Sequence, residues 1–140
     1  MSRIQLVWLH VSVALTAITG VVFAWMKYFM KSADEFSVVN HPMQPWMLAA
    51  HVVIAPAALF ILGWTFSNHM LPKYRFGDGS NLKTGVAQMA LIVPMALSAY
   101  LLQVSTGEAM RQAMAVAHWI TSAVFMVSYV IHLILRPPAS

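Results

Sequence analysis

Six histidines, His10, His41, His51, His69, His118 and His132, stand in a chain whose residues are 60% hydrophobic and only 9% charged. An ionisable ring in an apolar stretch is expensive, and an imidazole there marks a functional site by default because one ring nitrogen offers a lone pair while the other keeps a proton. The chain has no Cys, which excludes disulfides, thiolate metal sites, iron–sulfur clusters and covalent haem attachment. Any metal or cofactor must be held by nitrogen, oxygen or Met sulfur. His118 and His132 are fourteen residues apart in one apolar stretch. On a helix that spacing is about 21 Å of rise and about 40° short of whole turns, so both rings look to the same side, at two levels.

Four apolar stretches supply the elements that must position these rings. The mean hydropathy is +0.71, and spans long enough to cross a bilayer are expected at residues 4–26, 45–67, 84–104 and 110–135. The first is too long for the apolar core of a signal peptide and is read as retained. Residues 31–45 and 68–83 have the Pro, Gly, Asn and charge content of loops, and the connection at 105–107 is short enough to force antiparallel neighbours. The prediction is an all-α fold, a single domain over residues 1–140 forming an integral membrane up-down four-helix bundle. Arg3, Lys73, Arg75, Lys83 and Arg136 fall on one side against Lys27, Lys31 and Arg111 on the other, which places both termini in the cytoplasm. Trp8, Trp25, Tyr28, Trp46 and Tyr74 lie near span ends, where amphipathic rings meet lipid headgroups. Pro56 and Pro94 are expected to bend spans two and three, and no internal repeat is visible. The formal net charge of +4 reflects a shortage of acids, with only Asp34, Glu35, Asp78 and Glu108, so no nucleic-acid partner is expected.

In an up-down bundle His51 and His118 share the outer end, and His10 and His132 the inner end. Two imidazoles facing each other across an apolar core meet the requirement for bis-His ligation of haem b: two axial nitrogens and a flat slot between helices. Two haems are therefore expected, with axial pairs His51/His118 and His10/His132. With both axial positions filled, neither iron has an open position for bond-making chemistry.

Leu9-His10 in span one, Ala-Ala-His51-Val-Val-Ile-Ala-Pro56 in span two, and Ala-His118-Trp with Tyr-Val-Ile-His132 in span four resemble the dihaem cytochrome b subunits of membrane-bound formate dehydrogenases and nickel–iron hydrogenases and the related small bacterial cytochrome b proteins. In that family a span-one His pairs with the second span-four His and a span-two His with the first, which gives the same two pairs. The resemblance implies a non-catalytic electron-transfer subunit of an oxidoreductase complex in the bacterial inner (cytoplasmic) membrane. It would relay electrons between the quinone pool and a partner redox subunit, an extracytoplasmic cytochrome or iron–sulfur protein. The cytochrome b of quinol-oxidising bc complexes uses the same spacing on two helices, but position 65 here is Thr65.

His69 lies eighteen residues after His51, about 27 Å along a helix, and remains the rival of His10 as an inner ligand or a propionate contact. His41 reads as a surface residue. Carbonyls one turn earlier, at Leu6, Met47, Met114 and Ser128, are expected to take the second ring N–H of each ligand. Gly20, at the level of the outer site, and Gly63, toward the inner one, would let a macrocycle approach the backbone. Arg3, Arg75, Arg136, Lys27, Lys31 and Arg111 are either propionate partners or ordinary positive flanks. Span three, with no His, reads as a packing helix. The alternatives are a His-based metal-binding or transport protein, or a structural membrane anchor.

Overall fold

The structure, a computed structural model, describes residues 2–32, 34–76 and 82–134. Asp78 and Arg136, together with residues 77–81 of the expected second loop and the last residue of the expected fourth span, lie outside them. Among the described residues every regular element is helical: α1 (Arg3–Tyr28), α2 (Gln44–Thr65), a π-helical turn (Phe66–Met70), α3 (Leu71–Phe76), α4 (Leu82–Val104) and α5 (Glu108–Ile134).

The first two helices start where the sequence supplies a start. Ser2 caps α1, its Oγ accepting the Gln5 N–H at 3.1 Å, which satisfies one of the orphan donors of a first turn. Pro45 stands in the first turn of α2, where a missing N–H costs nothing. Pro56 and Pro94 sit inside α2 and α4, and both helices run through them. The carbonyls one turn earlier, Val52 and Ala90, lose their helical donors there.

The second apolar segment is longer than its sequence suggested. Residues 68–76, expected as the start of a loop, continue as helix, so that the whole segment from Gln44 to Phe76 is one of four long enough and apolar enough to cross a membrane. A π turn is a widened turn with one residue more than an α turn. Here it comes just before Pro72, which occupies the second position of α3 and has no N–H to give.

The chain divides into two compact units, Met1–His69 and Met70–Ser140. In the first, α1 and α2 form an antiparallel hairpin. Gln5 at the start of α1 reaches the Trp64 carbonyl at the end of α2 at 3.5 Å, while Asn40 Nδ2, just before α2, donates to the Lys27 carbonyl near the end of α1 at 2.8 Å. In the second, α4 and α5 pair the same way, with Gln88 Nε2 donating to the Ser128 carbonyl at 3.1 Å. Among the described residues few apolar side chains are buried: Leu9, Val13, Ala24, Ala58 and Leu62 in one hairpin, Phe125 and Tyr129 in the other. Large apolar residues cover the outside instead, Val21 at 68% exposure, Phe60 at 74% and Val93 at 61% among them. Such surfaces suit lipid and not water.

Among the described residues one buried polar side-chain atom lacks a partner. Thr65 is 8% exposed and its hydroxyl makes no hydrogen bond, so it loses hydration without compensation. Thr65→Val keeps the shape and removes the uncompensated group. It should leave stability unchanged or raise it by about 1 kcal/mol, read as the unfolding midpoint in detergent; a loss of that size would show that the hydroxyl is satisfied.

Candidate functional site

The α1–α2 hairpin holds His51 by its Nδ1. That nitrogen lies 3.0 Å from the Thr16 carbonyl oxygen and 3.2 Å from Thr19 Oγ1, both on α1. A carbonyl can only accept, so Nδ1 carries the proton. The Thr19 hydroxyl already points its own hydrogen at the carbonyls of Leu15, 2.8 Å away, and Thr16, 3.1 Å away, so it too accepts from the ring. The Nδ1–H tautomer places the lone pair on Nε2, which is the state a metal-ligating imidazole needs.

Gly20 makes room for this ring. A Cβ at position 20 would stand 2.9 Å from His51 Cε1 and 3.1 Å from Nδ1. Gly20 is therefore at the level of His51, as expected, but the space it opens is filled by the imidazole itself. Gly63 differs: nothing lies within 4 Å of its missing Cβ. It borders an open hollow of about 570 Å³ lined by Phe60, Gly63, Trp64 and Ser67, which leaves its backbone approachable.

The α4–α5 hairpin holds two imidazoles. His118 Nδ1 is 3.1 Å from the Met95 carbonyl and 3.4 Å from Ser98 Oγ, whose own hydrogen goes to the same Met95 carbonyl at 2.9 Å. The same reasoning fixes His118 as the Nδ1–H tautomer. His132 Nδ1 is 2.9 Å from Thr84 Oγ1. Its ring edge lies over Gly85, where a Cβ would meet His132 Cε1 at 3.9 Å and Met70 Sδ at 3.7 Å.

These bonds correct two expectations. Where partners one turn back at Met47, Met114 and Ser128 were expected, the nitrogens reach across to the neighbouring helix, at the Thr16 carbonyl, the Met95 carbonyl and the Thr84 hydroxyl. A carbonyl one turn back points along its own helix axis, while a ring aimed at the adjacent helix meets that helix's carbonyls and hydroxyls from the side. The Ser128 carbonyl accepts from Gln88. The third apolar helix is more than packing, since α4 supplies the Nδ1 partners of both His118 and His132.

His10 is half-buried on α1 beside buried Leu9, and His69 is half-buried in the π turn. Each pair expected from the sequence, His51/His118 and His10/His132, draws one histidine from each unit, so the geometry above belongs to each hairpin by itself. His41 has the opposite arrangement. Its Nδ1 accepts the Met43 backbone N–H at 3.1 Å in the turn before α2, which puts its lone pair to structural use.

Thr16, Thr19, Thr84, Met95 and Ser98 were not singled out from the sequence. The signal was a row of hydroxyls in apolar helices: Ser12, Thr16 and Thr19 recur at helical spacing on the face of α1 that meets α2. Among the described residues no three of His, Asp and Glu gather as ligands for a bare ion. Three of the four histidines, His51, His118 and His132, have Nδ1 held by the partner helix of their own hairpin. Comparisons with protein-family models, with curated proteins and with solved structures find no match.

Proposed function

We propose that the chain is a multi-pass membrane electron-transfer cytochrome b of the bacterial inner membrane, holding two b haems through His51/His118 and His10/His132. In this reading it relays electrons between the quinone pool and a partner redox subunit, an extracytoplasmic cytochrome or iron–sulfur protein. The observation that carries it is the shared state of His51 and His118. Each gives its Nδ1 proton to a carbonyl of the neighbouring helix and so carries its lone pair on Nε2. Haem b, when bound, supplies one-electron exchange between ferric and ferrous iron.

The chain's own residues do the rest. Thr16, Thr19, Met95 and Ser98 hold the His51 and His118 rings in one tautomer and orientation, and Thr84 orients His132, which sets ligand geometry before any ligand arrives. Apolar outer faces on all four long helices match a hydrocarbon surround. The assignment of which histidines face each other rests on chain spacing and on an up-down arrangement with both termini in the cytoplasm. His69 remains the second candidate opposite His132.

The test is the haem content of the protein extracted from membranes in mild detergent. The reading expects about two non-covalent b haems per chain, removable by acid and organic solvent as unattached haem. Protein found in the soluble fraction, or membrane protein with no haem, would overturn it.

A further inference from the structure

The two hairpins answer each other position by position. Arg3 begins α1 and Leu82 begins α4, an offset of 79 residues. At that same offset Thr16 matches Met95, and Thr19 matches Ser98. On the second helices His51 and His118 differ by 67 residues, and so do buried Ala58 and Phe125, and buried Leu62 and Tyr129. The difference between the offsets, twelve residues, is taken up in the connections, 29–43 in one hairpin and 105–107 in the other.

The correspondence extends to the chemistry. In each hairpin the histidine Nδ1 meets the carbonyl of one residue on the first helix and the hydroxyl three residues further on. In each, that hydroxyl also donates toward that same carbonyl, Thr19 sharing its hydrogen between Thr16 and the nearer Leu15 carbonyl. The second level also corresponds. Thr84, which binds His132, matches Gln5, and His132 itself matches Thr65. Gln5 and Thr65 are both buried, and the Thr65 hydroxyl has no partner. The first hairpin thus has the second station without the imidazole.

We infer that the chain carries two copies of one imidazole-holding hairpin, in which Thr19 and Ser98 are equivalent positioning residues for His51 and His118 and Thr65 stands where the second copy has His132. The carbonyl selects the tautomer. The hydroxyl, held as an acceptor by its own bond, fixes the ring's rotation about its Cβ–Cγ bond. The sequence hides the repeat because only backbone carbonyls and small hydroxyls are shared, and a carbonyl leaves no trace in residue type.

Two measurements test it, and only the second rests on the haem reading. In the full-length, isotope-labelled chain without haem, ring nitrogen–proton correlations should show Nδ1–H for both His51 and His118, with His41 as the internal contrast at Nε2–H. An Nε2–H signature at His51 or His118 overturns the inference. In the haem-loaded protein, Thr19→Val and Ser98→Ala should each weaken haem binding about tenfold, the low end for a ligand's supporting partner because the carbonyl stays. Thr19→Ser and Ser98→Thr should bind as the parent does. A serine variant as weak as Thr19→Val, or one hydroxyl removable without effect while the other matters, overturns it. Absence of haem from the parent protein would instead count against the function proposed above and leave the tautomers to decide.

Discussion

Replacing His118 with Ala is expected to take the haem content of the purified protein from about two per chain to about one, with the remaining haem still low-spin. The loss is large because the substitution removes an iron–nitrogen bond outright, and no neighbouring group on α5 replaces it. Thr121, one turn on, is committed to the Ala117 and His118 carbonyls at 2.7 and 3.2 Å. The other haem should survive because its proposed ligands lie fourteen residues further along α5 and on α1. The measurement is haem per protein with the spectrum of what remains. Retention of both haems, or loss of both with the helical content intact, would contradict the pairing of His118 with His51.

Gly20→Ala should be nearly as damaging, although alanine is the better helix former. Removing a glycine from a helix interior gains about 1 kcal/mol. Against that, the new Cβ would stand 2.9 Å from His51 Cε1, inside any contact a carbon tolerates, and overpacking of this kind costs about 1–3 kcal/mol. The neighbour is a rigid ring tied by its Nδ1 to the same helix, so relief requires the ring to leave the Thr16 carbonyl. The ligand then loses its orientation, and haem binding at that site should fall by about tenfold to a hundredfold. Gly63→Ala provides the contrast on α2. With nothing within 4 Å of the added carbon, the helix gain stands alone, and the variant should be more stable than the parent by about 0.5–1 kcal/mol. Haem titration and thermal unfolding of the two variants, side by side, check both signs.

Much of the architecture was legible because it depends on quantities a sequence displays directly. The four apolar segments follow from length and hydropathy, and the observed helices start within two residues of the expected spans. Their ends were less legible. Asn68, Pro72, Lys73 and Arg75 have the composition of a loop, yet the helix continues through a π turn to Phe76. Composition records which residues tolerate a loop, not whether a local hydrogen-bond shift lets a helix absorb a proline.

The histidines were legible for a similar reason, since an imidazole in an apolar segment is conspicuous. What holds them was not. The partners of His51 and His118 are carbonyls of Thr16 and Met95, and every residue but the right one also has a carbonyl. Which one faces a ring is decided by the register of the two antiparallel helices in each hairpin, α1 with α2 and α4 with α5. The register of α4 against α5 explains why α4, without a histidine of its own, supplies the partners of two.

The central claim is that these oriented imidazoles bind haem iron in pairs. A reduced-minus-oxidised absorption spectrum of the full-length protein, purified from membranes in mild detergent, tests it most directly. The account predicts the narrow alpha band of a low-spin, six-coordinate b-type haem, unchanged when carbon monoxide is added because both axial positions are filled. No haem band at all, or a high-spin spectrum that carbon monoxide shifts at once, would contradict it.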